Sequence, residues 1–199
     1  MTKHAALRGR SDRWSDWAVL VVLAVALLLG WGVMVCTQRQ RESYTDPLTG
    51  LSVSYPKGWL LKAEEGLAFQ ALDPGSNGFK TTYQTRSLTI SASEPLTSSL
   101  AVALSDASLS RAQEGTAFRM LDLGEGEVVH GVPTMEAEYV YVVEGKDLFV
   151  QALPSVVRGL DIALTVGDRA FLFSLLAEED EYNRAIRDFR TIVASATRE

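Results

Sequence analysis

The chain has 199 residues, a formal net charge of −6, 47% hydrophobic residues, one cysteine and two histidines. That length is enough for one domain with a real core beside a terminal segment. The acidic balance argues against a nucleic-acid-binding surface, which needs a basic patch to neutralise phosphates, and a lone cysteine excludes an intrachain disulfide.

Residues 1–16 form a short polar tail carrying Lys3, Arg8, Arg10 and Arg13. The stretch from Trp17 to Cys36 that follows contains no charged residue. At ~1.5 Å per residue, about 20 apolar residues cover roughly 30 Å, the thickness of a bilayer core, which predicts a transmembrane helix over 17–36. A cleavable secretory signal has an apolar region of ~7–15 residues and a small-x-small exit, which Trp31–Cys36 does not offer. A lipoprotein signal needs a small residue before its cysteine, and Val35 stands before Cys36. The run has no polar face, unlike the amphipathic helix of a globular domain. The excess of Lys and Arg before it, against Arg39 and Arg41 after it, predicts a cytoplasmic N-terminus. The expectation is a single-pass protein of the cell membrane. The lipid bilayer is its partner through 17–36, residues 37–45 are a linker, and 46–199 form an extracytoplasmic domain.

Within that domain, Asp46–Gly50 reads as a turn. Leu51–Tyr55 alternates apolar and polar residues, the mark of a half-buried strand. Pro56-Lys57-Gly58 interrupts it before Trp59–Leu61 resumes, and Leu67–Leu72 reads as another strand. Asp73–Gly78 has strong turn chemistry. Arg86–Ser93 alternates again, with Leu88, Ile90 and Ala92 on one face. Leu100, Ala103, Leu104 and Ala107 then fall at helical spacing, with Thr97, Ser98 and Ser99 as candidate N-caps and Gly115 at the far end. Further strands are predicted at Phe118–Leu123, Val128–His130, Thr134–Val143, Phe149–Val157, Asp161–Val166 and Ala170–Leu176, with turns at Gly145-Lys146, Arg158-Gly159 and Gly167-Asp168. The chain closes in a helix. Glu178–Glu181 put negative charge at its positive pole, and Tyr182, Ala185, Ile186, Phe189, Ile192 and Val193 form one apolar stripe. Such a stripe packs flat on a sheet. The fold class is therefore α+β: one N-terminal transmembrane helix, then an α/β sandwich with a mostly antiparallel sheet and two main helices.

The segment Leu51-Ser52-Val53-Ser54-Tyr55-Pro56-Lys57-Gly58-Trp59 resembles the strand–Pro–x–Gly–Trp opening of PsbP-like domains. Gly131-Val132-Pro133 leading into Glu138-Tyr139 is similar to that superfamily's mid-domain hairpin. The strand pair 161–166 and 170–176, followed by a helix reaching Phe189-Arg190, is similar to its C-terminal close. The superfamily includes the photosystem protein PsbP and the Ran-binding Mog proteins. The resemblance covers roughly residues 46–196 and implies binding or accessory roles rather than catalysis.

Chemistry-bearing motifs are sparse. There is no P-loop, no G-x-S-x-G elbow and no G-x-G-x-x-G after a strand. His4 lies in the tail and His130 in an expected turn, where a lone histidine reads as a solvated polar residue. Glu136 and Glu138 share one strand face about 7 Å apart. That spacing suits an acid pair, but it is also that of two glutamates on the polar side of an amphipathic strand. Asp122, Glu125 and Glu127 are too few for a Ca²⁺ loop and at best hold a hard cation weakly. Trp59 reads as a core or sheet-edge anchor. The loop Asp73–Tyr83 is the most plausible recognition surface, with Phe79, Lys80 and Tyr83 as its candidate partner-binding residues. The sequence thus predicts a non-catalytic, membrane-anchored accessory domain that engages a membrane-associated protein partner, with no metal and no cofactor. The alternatives are a small-ligand receptor or enzyme whose site is assembled from distant residues, and a purely structural envelope protein.

Overall fold

A computed structural model describes residues 11–38, 40–76, 78–90, 95–114, 116–143 and 154–198; the side chains of 11–16, 33–38 and 114 lie outside that description. Two units result, one up to Gln40 and one from Arg41 onward.

The first unit contains helix α1, Ser11–Gln38. Its described side chains run from Trp17 to Gly32 and all are exposed. Among the described residues no helix is long and apolar enough to cross a membrane. This finding, which concerns helices only, corrects the expected transmembrane helix over 17–36. It also removes the basis for bilayer partnership, for single-pass localisation and for an accessory role at a membrane face.

The second unit is an α+β sandwich. Its strands are β1 (Arg41–Thr45), β2 (Leu51–Pro56), β3 (Leu60–Leu61), β4 (Phe69–Leu72), β5 (Thr82–Leu88), β6 (Thr116–Glu125), β7 (Met135–Val143), β8 (Ser155–Val166), β9 (Arg169–Glu178) and β10 (Thr197–Arg198). Its helices are α2 (Leu96–Glu114) and α3 (Glu179–Ser195). A seven-stranded sheet runs in the order β3-β4-β5-β9-β8-β7-β6 and a small sheet in the order β1-β2-β10. Every pairing is antiparallel.

Strands β8 and β9 sit at the centre and are buried on both faces. Leu160, Ile162, Leu164, Phe171, Phe173 and Leu175 point to one side, where Tyr182, Ala185, Phe189, Ile192 and Val193 of α3 and Leu51, Val53 and Tyr55 of β2 cover them. Ala163, Ala170 and Leu172 point to the other, beneath Leu100, Leu104 and Ala107 of α2. The apolar stripe of α3 therefore packs as the spacing requires.

The local departures have physical causes. The stretch expected as a linker contributes β1, because residues 41–45 pair along β2 and Tyr44 packs at a tilt against Phe69 (5.8 Å between ring centroids), tying the segment to the core. Helix α2 begins at Leu96, one position before the proposed caps, and Ser99 is buried within it. Val128–His130 is no strand; only Val129 and Val132 bridge, around a tight turn. The expected turn at Arg158-Gly159 lies inside the continuous strand β8. Gly159 is required there for another reason: a Cβ at this position would collide with the ring of Tyr139, its partner across the ladder. Gly115, Gly145-Lys146 and residues 91–93 and 149–153, also assigned in the sequence reading, fall outside the described residues. Gly159→Ala is expected to cost about 1–3 kcal/mol of stability by overpacking, measured by urea unfolding. Gly124→Ala, where an added Cβ meets nothing within 4 Å, should shift stability by less than about 0.5 kcal/mol.

Candidate functional site

The β6–β7 connection is shaped by backbone conformation. Val129 and Val132 exchange backbone hydrogen bonds of 3.1 and 2.9 Å. Between them His130 (φ 52°) and Gly131 (φ 79°) both take positive φ. Two positive-φ residues between paired positions are the signature of a type I′ turn. The turn carries the His130 ring to the C-terminal end of α3, where Nε2–H donates to the Ala194 carbonyl. That carbonyl belongs to the last turn, whose acceptors lack helical partners.

Between this turn and α3 lies an open cleft of about 400 Å³. Its apolar floor is Val129, Ile162, Val193 and Ala194, and its polar groups are Glu127, Glu136, His130, Arg190 and Thr191. Arg190 forms a fork on Glu136, with Nη1 to Oε1 and Nη2 to Oε2 both at 3.1 Å, and its Nη1 also reaches Glu127 at 3.2 Å. Glu136 is held close by Gly126, where a Cβ would clash with its Cγ and with the Thr134 hydroxyl. The cleft so carries two carboxylates against one guanidinium, and Glu127 is the loosely held one, its side chain 77% exposed. A hollow of about 530 Å³ lies against β1, β4 and the 61–67 segment. Among its polar groups Asp46 accepts from Thr49 (2.5 Å) and Lys62 pairs with Glu64 (3.5 Å).

Beside the cleft, Glu138 accepts from Arg158 Nε (2.7 Å) and from the Tyr182 hydroxyl (2.6 Å). The Arg158 guanidinium also stacks 4.4 Å over the Tyr182 ring and reaches Glu179 at 3.2 Å. Burial raises the Glu138 carboxyl, but the hydrogen bonds from Tyr182 and Arg158 and the charges of Arg158 and Arg190 outweigh it, and the group is held below its ordinary value of 4.5. Burial, and then the bond to Glu138, push the Tyr182 phenol up.

The positions singled out from sequence fall as follows. Glu136 and Glu138 share the α3-facing side of β7, each already bound to its own arginine. Phe79 is half-buried against Tyr139, Val157 and Leu176. Lys80 donates to the Ser76 carbonyl (2.5 Å). Tyr83 is 1% exposed, stacked between Trp59 (4.4 Å) and Phe189 (5.8 Å), with its hydroxyl donating to Ala185 O (2.8 Å). Trp59 anchors that stack. Asp122 accepts from the Leu123 N–H (3.0 Å) and Glu127 pairs with Arg190. Among the described residues no group of three or more His, Cys, Asp or Glu is placed to hold a metal ion. His4 lies outside the described residues. Sequence reasoning missed Arg190 as a site residue; His130 is the exposed turn residue it expected, but its bond to Ala194 was not foreseen. The His130-Gly131 pair was the available signal, since it fits the two positive-φ positions of a hairpin turn.

Among solved structures the chain is similar to the cyanobacterial PsbP (CyanoP) of Synechocystis sp. PCC 6803, with a TM-score of 0.56 and 17% identity over 80% of this chain and 92% of that one. LpqN of Mycobacterium tuberculosis, involved in cell envelope biogenesis, also aligns, at TM-score 0.49 and 14% identity over 79% and 90% of the two chains. The Saccharomyces cerevisiae Ran-binding protein Mog1p aligns at 0.48 and 12% over 79% and 94%. The likeness to CyanoP shows a distant PsbP-like α/β/α sandwich, and at that identity it is a likeness of fold alone. No family model and no curated protein sequence matches the chain.

Because Glu138 is held below its ordinary value, it contributes stability at pH values above the carboxylate range, and that contribution is lost as pH falls through its folded-state value. Glu138→Gln is expected to lower the urea midpoint at pH 7, and the gap to wild type should close by about pH 3. Parallel urea titrations at the two pH values check this.

Proposed function

We propose that this domain is a non-catalytic small-ligand receptor whose site is the cleft between α3 and the β6–β7 turn. The observation that carries the reading is the imbalance of charge above an apolar floor. One guanidinium, Arg190, is forked on Glu136 and shared through Nη1 with Glu127, so the pair of carboxylates is in excess and Glu127 stays largely exposed at the rim. Concave, mostly apolar hollows with a few convergent polar groups are where small molecules bind. An excess carboxylate beside valine and isoleucine side chains selects a ligand with an apolar body and a cationic amine. A non-catalytic role is supported by the engagement of both Glu136 and Glu138 with arginines, which occupies their carboxylate oxygens; Glu138 is also held below its ordinary value, which suits it poorly to act as a general acid.

The test is an NMR titration of the full chain with a panel of aliphatic and aromatic amines and with the matched carboxylic acids. Amines should move the backbone resonances of 127–130 and 190–194 in a saturable way, and acids should not move them. Glu127→Gln should weaken the best amine about tenfold, since a hydrogen bond to a charged group is typically worth ~1.5–3 kcal/mol. Equal response to amines and acids, or none at these residues, contradicts the reading.

A further inference from the structure

The opposite face of the large sheet carries a second feature that the cleft does not explain. Across four strands, Gln70 pairs with Gln84, Gln84 with Ser174, and Ser174 with Asp161. In an antiparallel sheet residues directly opposite each other share a face. These four therefore form one polar row on the α2 side, spanning roughly 14 Å at ~4.8 Å per strand. The row divides the core on that side. Ala163 and Leu172 belong to the apolar cluster under α2, while Val157 and Leu176 belong to a separate one with Tyr139.

One end of the row is closed. Arg111 of α2 places Nε 3.3 Å from Asp161 Oδ2, and the Tyr139 hydroxyl donates to Oδ1 at 3.0 Å. Four other buried atoms have no hydrogen-bond partner among the described residues: Gln70 Oε1, Arg86 Nε, Arg111 Nη2 and Ser174 Oγ. All four lie on this face, since Arg86 follows Gln84 by two positions along β5. Leaving a buried polar group unsatisfied is costly, and native proteins hold few such groups. Ser174 lies in the row itself, Arg86 one step along β5 in the neighbouring row opposite Leu172, and Arg111 on α2 above Asp161, so three unpaired donors gather on one face.

The chemistry of the row describes that partner. Guanidinium nitrogens only donate and a serine hydroxyl can donate, whereas the Gln70 atom is a carbonyl oxygen that only accepts and stands apart from these three donors. The charges are Arg86 and Arg111 against Asp161 alone, and among the described residues Arg86 makes no ion pair. The partner is thus an acceptor with negative charge. Burial also grades along the row. Asp161 and Ser174 are fully buried and Arg111 nearly so, whereas Gln70, Gln84 and Arg86 are half-buried, so the approach is from the β4–β5 side.

The geometry points to a binding site for a small oxyanion, the carboxylate or phosphate group of a metabolite, held between Arg86 and Arg111 over Ser174. Planar guanidinium forks match both groups, and the shared chemistry is a compact anion with several acceptor oxygens. The site is independent of the amine cleft, which lies on the α3 face.

The experiment titrates the full chain with acetate in one arm and inorganic phosphate in the other, with sodium chloride at matched ionic strength as the baseline. The side-chain Nε–H resonances of Arg86 and Arg111 are followed by NMR, and the thermal midpoint is followed in parallel. Saturable shifts of both resonances, with a midpoint that rises with the logarithm of anion concentration as mass action requires, support the site, and the stronger arm identifies the group. Arg86→Gln should weaken that response at least about tenfold while the circular dichroism spectrum stays native. Ser174→Val separates the site from an under-satisfied core. If the row binds an anion, the variant loses the anion response. If it does not, the variant is simply more stable and responds to acetate and phosphate as it does to chloride. No saturable response beyond chloride in either arm, or a response unchanged in Arg86→Gln, overturns the inference.

Discussion

Strands β8 and β9 are buried on both faces, and that constraint organises the domain. Along β9 every residue from Ala170 to Ala177 is buried. Neither face of such a hairpin can be left to water, because each side chain of this size is worth about 1.5–3 kcal/mol of burial. One face is covered by α3 and the inward residues of β2, and the other by α2. The small sheet is fastened to the same arrangement: the Ser54 N–H donates to the Ser195 hydroxyl at the end of α3 (2.9 Å), and β10 pairs back onto β2.

The charged cleft is a consequence of how β7 is shared between these two layers. Its Met135, Ala137 and Tyr139 point toward α2, so its intervening Glu136 and Glu138 must point toward α3. There they meet Arg190 on α3 and Arg158 on β8. Ion pairs of this kind at partly exposed positions add little net stability, but they fix geometry. The fork between Arg190 and Glu136 sets the wall of the cleft, and the turn at His130-Gly131 sets its rim. The alternation that builds the core on one side of β7 thereby builds a polar site on the other.

Much of the fold was legible because it rests on periodicity. The α3 stripe, the alternation of 51–55 and 134–143, and the Gly167-Asp168 turn each follow from residues near in sequence. What escaped depends on partners distant in sequence. Gly159 reads as a turn glycine until Tyr139 is seen lying over it. Residues 41–45 read as a linker because Tyr44 is their one apolar side chain against the core, and the rest are held by polar contacts to β2 and α3. The expected membrane span was read from the apolar run and its flanks, and among the described residues no helix is long and apolar enough to cross a membrane. Tyr83, legible as a loop aromatic, lies on the strand side of that loop and is taken into the core by Trp59 and Phe189. The cleft joins residues 127–136 to 190–194, and no local pattern announces that meeting. The polar row is similarly silent, because Gln70, Gln84, Asp161 and Ser174 come together only through strand register.

The central claim is that the cleft between α3 and the β6–β7 turn is a ligand site for an apolar amine. The most direct measurement is a crystal structure of the full chain soaked with the best-binding amine. The account predicts density in the cleft, with the ammonium within hydrogen-bond distance (about 2.7–3.2 Å) of Glu127 and the apolar body against Ile162 and Val193. An empty cleft at saturating amine, or density with the ammonium turned away from Glu127, would contradict it.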